Sequence, residues 1–418
     1  MSGRLGATFA LVCVPLGRLP FVAMKLLWLA TKPPLPPVDG GRLLQLRTLE
    51  ELGRRGVEVT LVSPPDSTGE GGEIEGVEVH WARPAPRRPP VWRWPLAVAR
   101  HRHRGMERLV NKLLGSVSFD AVHVEQVHAL PQARPALERG LPVVLRAQNV
   151  ESDLWRGAAR RLPGVRGAVA RLEAARFARW EGRAIARATR VAALTETDAA
   201  RLRELAADHP TGETSVTVVP APFPGLLPAG EALSGSPSVV LVGSSGWLPN
   251  RDSTDWFLEE IWPAVAAAQP AARLHLFGEK REVPSPSVTH HGPLADSRAA
   301  FAADSVLVVP LRIASGVRMK ILEAWARGVP VVATAVAAGG LGLPLGEGVL
   351  RAEDGPSFAA ALGRLQEPSE RNRLVEEGRR HLAARHDPGR VAERLLELYS
   401  GKVSASAGPE PGSEAASS

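Results

Sequence analysis

Along this chain, short runs of β-branched and aliphatic residues alternate with stretches of helical period, and the alternation occurs in two blocks. Lys25–Ala30 (KLLWLA) has the pattern of a buried strand, and the prolines and glycines of TKPPLPPVDGGR force a turn after it. From Arg42 to Gly56, Leu43, Leu44, Leu46, Leu49 and Leu52 recur on one side of a helix, and Val57–Ser63 is strand again. Further strands are expected at Phe119–Val124, Pro142–Ala147, Val191–Leu194 and Val216–Val219. Residues 156–190 read as one arginine-rich helical region containing Glu181, and another helix opens at Thr195 with Glu196 and Asp198 in its first turn.

The second block follows a proline, glycine and serine stretch without periodicity, which reads as a linker over 223–237. It contains Val239–Val242, a polar glycine loop (GSSGWLPNRD) that begins at Gly243, a helix through Trp256, Phe257 and Ile261, and Leu274–Phe277. A short strand near Val288 and a helix around Asp296–Ala303 come next, and the last helix is expected over Val391–Tyr399. The predicted fold class is α/β, with two doubly wound, Rossmann-like domains facing a cleft: 24–222 and 238–400. An N-terminal extension or mis-start occupies 1–23, and 401–418 cannot bury a core and is expected to be disordered.

The densest candidate chemistry lies between Ser305–Pro310 (SVLVVP) and Pro330–Thr334 (PVVAT), two strand patterns with one helix between them. Ser315 is expected to cap that helix, Gly316 to leave its first turn bare, and Gly328 to end it. A helix N-terminus at the carboxyl edge of a parallel sheet favours an anion such as a diphosphate, and Arg318 and Lys320 add two positive charges. Glu323 can accept from paired hydroxyls of a ribose or sugar. The plain alternative is a solvated helix face on which Lys320 and Glu323 pair with each other. Gly40 and Gly41, at the start of the first block's first helix, form a second glycine loop able to approach phosphate. Gln148, Asn149, Val150 and Glu151 end a strand where ligands of such sheets usually lie. His123 and His128 read as structural.

Composition adds limits. The chain has 418 residues, 44% of them hydrophobic, enough for two cores, and a net charge of +7 that suits an anionic partner. Cys13 is the one cysteine, which excludes a disulfide framework and a cysteine metal cluster and fits a cytoplasmic protein. From Trp81 to Arg108, Trp81, Trp92 and Trp94 interleave with Arg83, Arg87, Arg88, Arg93, Arg100, Arg102, Arg104 and Arg108. That mixture suits an anionic membrane surface, or is merely a solvated face; single-stranded nucleic acid ranks third, and no nucleic-acid partner is expected.

The segments VGSSGWLPNRDSTDWFLEEIWPAV, LHLFG, HGPLAD and ASGVRMKILEAWARGVPVVAT resemble the second domain of a GT-B glycosyltransferase of the family 4, group 1 type. KLLWLATKPPLPPVDGGR and RAQNVES are similar to its first domain. The resemblance implies transfer of a sugar from a nucleotide-diphosphate donor to a glycan or lipid-linked acceptor, with retention, without a metal or cofactor, in cell-surface polysaccharide or glycolipid synthesis at the inner face of the plasma membrane. It gives Glu323 the donor ribose, Lys320 and Arg318 the departing diphosphate as the catalytic cations, and Gly40, Gly41, Gly243, Ser315 and Gly316 the donor surroundings. Gln148, Asn149 and Glu151 fall to acceptor or sugar contacts. Three positions depart from the pattern: Ser315 stands where the first glutamate of a paired motif would fall, Gln148 where HNVE has histidine, and Arg251 is the one substitute for the usual arginine and lysine of the 243–252 loop. The alternatives are a degenerate member that binds a nucleotide sugar or partner without transfer, and an epimerase of the same fold.

Overall fold

The computed structural model describes residues 24–65, 72–82, 94–209, 215–244, 246–278, 285–294, 296–344 and 346–402. Two parallel sheets organise it. The first holds β1 (Lys25–Ala30), β2 (Glu58–Ser63), β3 (Val77–Trp81), β4 (Ala121–Glu125), β5 (Val143–Ala147), β6 (Arg190–Ala193) and β7 (Ser215–Val218) in the order β3-β2-β1-β4-β5-β6-β7. The second holds β8 (Ser238–Val242), β9 (Arg273–Phe277), β10 (Val288–Gly292), β11 (Ser305–Val309), β12 (Val331–Ala333) and β13 (Leu350–Arg351) in the order β10-β9-β8-β11-β12-β13. All strand pairs in both sheets are parallel, as expected of strands whose residues are apolar on both faces. The chain is thus two doubly wound α/β domains. In each sheet the order reverses beside the first strand formed, between β1 and β4 and between β8 and β11, which opens a crevice at the carboxyl ends.

Several elements differ from the sequence expectation. The arginine-rich region is two helices, Glu151–Arg161 and Gly164–Arg187, because Pro163 interrupts the pattern. The stretch 223–237 is packed rather than loose: Phe223 is buried, Leu227 N donates to Ala326 O, and Gly230 bridges Ala302 beside the second sheet. The last helix, Pro388–Ser400, was expected to close the 238–400 domain, yet Val391, Leu395, Leu398 and Tyr399 pack with Leu26, Trp28 and Leu49 of the first domain. Its Tyr399 hydroxyl lies 2.8 Å from His123 Nδ1, and His123 stacks on Trp28 with centroids 3.6 Å apart. His123 is therefore a core residue.

Residues 83–93, which carry Arg83, Arg87, Arg88, Trp92 and Arg93, and 403–418 of the expected tail lie outside the described residues, as does 1–23. Trp81 belongs to β3, a strand the periodicity did not reveal. No helix among the described residues is long and apolar enough to cross a membrane.

Candidate active site

The two carboxyl edges meet. Leu44 of the first domain's helix Gly40–Arg54 and Leu194 after β6 share an apolar cluster with Val317 and Met319 of the second domain. At the helix start, Asp39 caps through a bond from Arg42 N to Asp39 Oδ1 of 2.9 Å. A Cβ on Gly40 would stand 3.2 Å from Met319 Cγ of the second domain, and one on Gly41 2.6 Å from Gln148 Oε1 of its own domain, so the missing side chains let this loop pack closely on both.

Gln148 is fixed by three partners. Its Nε2 donates to Glu125 Oε1 at 2.9 Å and Gly41 O at 3.3 Å, and its Oε1 accepts from Gln126 Nε2 at 2.6 Å. Glu125 is buried and held ionised: burial pushes its carboxyl up, but the charge of Arg146 and the bond from His123 outweigh that and leave it low. Asn149 Nδ2, oriented to satisfy its surroundings, donates to Gln148 O (3.1 Å) and Ser315 O (2.9 Å).

Ser315 and Gly316 do not open a helix. The helix is Met319–Ala326, with Arg318 at its cap position and no side-chain cap. Ser315 Oγ instead accepts from Val150 N at 2.7 Å and donates to Asp198 Oδ1 at 2.7 Å. Gly316 N donates to Asp198 Oδ2 at 3.0 Å. Gly316 has φ +74°, and a Cβ there would lie 2.1 Å from Gln148 O. A left-handed residue pressed on a backbone carbonyl stops the helix three residues short of the expected cap. Asp198, read in the sequence only as a first-turn acid, is the residue that joins the domains here. The signal was present: it falls in the helix that leaves the carboxyl end of β6.

Of the cations behind this loop, Arg318 is buried and Lys320 half-buried. Arg318 is 6% exposed, and burial pushes its guanidinium down to about 10 against the opposing charge of Asp198. Lys320 Nζ donates to Val242 O and, at 3.4 Å, to Asn250 Oδ1. Burial, with the charge of Arg318 second, pushes Lys320 down to about 8. Two desolvated cations next to each other are a place where an anion gains more than it would in water.

Glu323 does not pair with Lys320. Its Oε1 accepts from Ser297 Oγ at 2.6 Å and Arg327 Nε at 2.9 Å, so the carboxylate is locked while Oε2 has no partner among the described residues. Gly243 follows β8 and lies against the helix Leu248–Trp256, where an added Cβ would stand 2.8 Å from Asn250 Cγ. Arg251 on that helix is exposed, while its neighbour Asn250 is the one that reaches Lys320. Glu151, half-buried at the start of its helix, is pushed up to about 7 by burial, and the buried Glu181 beside it to about 8. Glu181 accepts from Glu151 N at 2.6 Å and Ser152 N at 3.0 Å, so it caps that helix.

Residues 236–367 match the family described as glycosyl transferases group 1, and residues 40–222 match the glycosyl transferase 4-like domain. The chain belongs to this glycosyltransferase family. Solved structures share its two-domain GT-B fold. Sucrose-phosphate synthase from Thermosynechococcus elongatus superposes with a TM-score of 0.69 at 16% identity, over 91% of this chain and 99% of that one. Anabaena HepE in complex with UDP and glucose gives 0.62 at 15% identity, over 90% and 99%. An Escherichia coli trehalose-6-phosphate protein bound with UDP-2-fluoro glucose gives 0.61 at 12% identity, over 90% and 99%. No curated protein sequence matches. This glycosyltransferase carries its desolvated cation pair on the second domain, as the sequence places it, and meets it with a first-domain edge of amides and carboxyls.

Proposed function

We propose that this glycosyltransferase moves a sugar from a nucleotide-diphosphate sugar to a glycan or lipid-linked acceptor. The observation that carries the reading is the pair of desolvated cations at the cleft, buried Arg318 and half-buried Lys320, with Glu323 one helical turn on. The donor diphosphate would lie against the two cations, and Glu323 Oε2 would accept from its ribose. Charge grows on the diphosphate as the anomeric C–O bond breaks, so Lys320 and Arg318 stabilise the transition state more than the bound donor. The acceptor hydroxyl forms the new bond to the anomeric carbon, and its proton passes to the departing diphosphate or to solvent. Ligands of the structural neighbours, UDP with glucose in one and UDP-2-fluoro glucose in another, support a nucleotide sugar here. Retention, independence from metal, and work at the cytoplasmic face of an anionic membrane complete the proposal.

A second reading, a member that binds without transfer, is favoured by Ser315 and Gln148, whose polar atoms are engaged by Asp198, Val150, Glu125 and Gln126. The experiment that separates the two is a panel of radiolabelled nucleotide sugars with a mixed glycan and lipid acceptor pool. Label appearing in an acceptor supports transfer. Saturable donor binding with no labelled product, and no released nucleoside diphosphate, supports the second reading.

A further inference from the structure

Helix Gly164–Arg187 buries Phe177 and Ile185 in the core of the first domain and leaves its opposite face uncovered. Val165, Val169 and Leu172 are 80%, 48% and 60% exposed, and their spacing along the helix puts them in one stripe. Every other exposed residue of the helix is arginine, alanine or its first glycine. Arg166, Arg171, Arg179, Arg183 and Arg187 carry its exposed charge, while its two acids, Glu173 and Glu181, are buried. Arg160 and Arg161, exposed at the end of the preceding helix, add further positive charge near Val165. A face that meets only water carries polar residues of both signs; this one is apolar near its start and purely cationic beyond.

The residues that follow the basic, aromatic stretch after β3 pack on the same helix. The Trp94 ring lies 4.7 Å from that of Trp180, and the partly exposed Leu96 donates its N–H to Glu173 Oε2 at 2.6 Å. Between Glu151–Arg161 and Gly164–Arg187 an open hollow of about 240 Å³ is lined by Arg156, Ala159, Arg171, Ala174 and Ala175. Arg156 is paired with Asp153, whereas Arg171 has no ion pair among the described residues, so the hollow offers an anion one uncompensated guanidinium. Ala170 shares an apolar cluster with Ile313 of the second domain, which sets the stripe at the rim between the domains. A second copy of this chain would bring arginines against arginines. An anionic bilayer takes both parts of the face: apolar side chains enter the headgroup boundary, and guanidiniums meet phosphates.

We propose that the exposed face of Gly164–Arg187 docks the first domain on an anionic lipid bilayer, with Val165, Val169 and Leu172 in the interface and the arginines on headgroup phosphates. The proposal rests on the reading that the enzyme works at an anionic membrane, and names the surface that meets it.

The test is co-sedimentation of the full chain with vesicles of phosphatidylcholine alone and of phosphatidylcholine containing about 30% phosphatidylglycerol. The wild type is expected to bind the anionic vesicles roughly tenfold or more tightly than the neutral ones, and to lose that preference as salt is raised. Val169→Asp with Leu172→Asp should weaken anionic binding roughly tenfold or more. Arg179→Gln, Arg183→Gln and Arg187→Gln together should weaken it roughly 100-fold. All five side chains are exposed and lie outside the donor site, so both variants should keep the wild-type melting temperature and donor affinity, which separates lost docking from misfolding. Anionic binding that neither variant weakens would keep the enzyme on a membrane but assign its contact elsewhere, and would overturn the proposal. Sedimentation with neither vesicle, or equally with both, would overturn it together with the anionic-membrane reading. A wild type that light scattering finds dimeric without vesicles, and monomeric once Val169 and Leu172 are replaced, would make the stripe a contact between copies and also overturn it.

Discussion

Ser315 Oγ lies 2.7 Å from Asp198 Oδ1, across the boundary between the two domains. The family's first glutamate would fall at Ser315, and a carboxylate there would face the carboxylate of Asp198. Like charges in a partly buried contact repel, so serine at this position and aspartate at 198 are mutually consistent. Ser315→Glu is expected to lower stability by about 1–3 kcal/mol, and Ser315→Glu combined with Asp198→Ala to recover part of it. Urea unfolding of both variants checks this. Additive losses in the double variant would show that the two side chains do not act on each other.

Gly316 is the backbone counterpart of the same contact. With φ +74° and Gln148 O where a Cβ would go, Gly316→Ala should cost more than the roughly 1 kcal/mol of a left-handed alanine alone and should cut transfer activity in parallel. Thermal unfolding and initial rates measured on one preparation test it; a stable, fully active variant would mean the loop tolerates another path.

For Glu323, Arg327 and Ser297 hold one carboxylate oxygen and leave the other for ligand. Glu323→Gln keeps the shape and removes the charge, and is expected to weaken donor binding by about 1–3 kcal/mol. Calorimetry with the cognate nucleotide sugar reads it directly. Unchanged affinity in a folded variant would leave Glu323 as a helix residue bonded to Arg327.

The pH dependence of stability follows from buried groups of opposite sense. His123, His128 and His386 are each pushed down to about 4, chiefly by burial, so their contribution is complete above about 6.5 and is lost as pH falls toward 4. Glu151 and Glu181 are raised to about 7 and about 8, so their contribution is complete below about 4.5 and is lost as pH rises through those values. Between 4.5 and 6.5 the three histidines outweigh the two glutamates, and above 6.5 only the glutamates titrate in this set. The urea midpoint should therefore rise from pH 5 to pH 6.5 and fall by pH 8. A midpoint still rising at pH 8 would contradict the burial of the Glu151 and Glu181 pair.

Much of the architecture was legible from periodicity, because strands buried on both faces leave continuous apolar runs: β1, β5, β8 and β11 fall within a residue or two of the expected ranges. Positions set by distant contacts were not legible. The start of the helix at Met319 depends on Asp198, 117 residues earlier in the chain, engaging Ser315. The amphipathic pattern of Pro388–Ser400 says that it packs, but not that it crosses back to Trp28 and His123. In the candidate site, the sequence singled out Lys320, Arg318 and Glu323 by type and spacing. It could not show that Glu323 turns to Arg327, or that His101 and His128 meet from two separate segments.

Transfer depends most directly on Lys320, whose half-buried ammonium, pushed down to about 8 by desolvation, is placed to meet the charge that develops on the departing diphosphate. Steady-state kinetics of Lys320→Ala with the cognate donor tests this, with rates followed between pH 6 and 9. The expected result is a fall in kcat of roughly 100-fold with KM for donor changed less than about threefold, and a wild-type kcat/KM that declines above about pH 8. A variant that keeps its kcat and only raises KM would contradict the account, because Lys320 would then hold the donor equally before and during transfer.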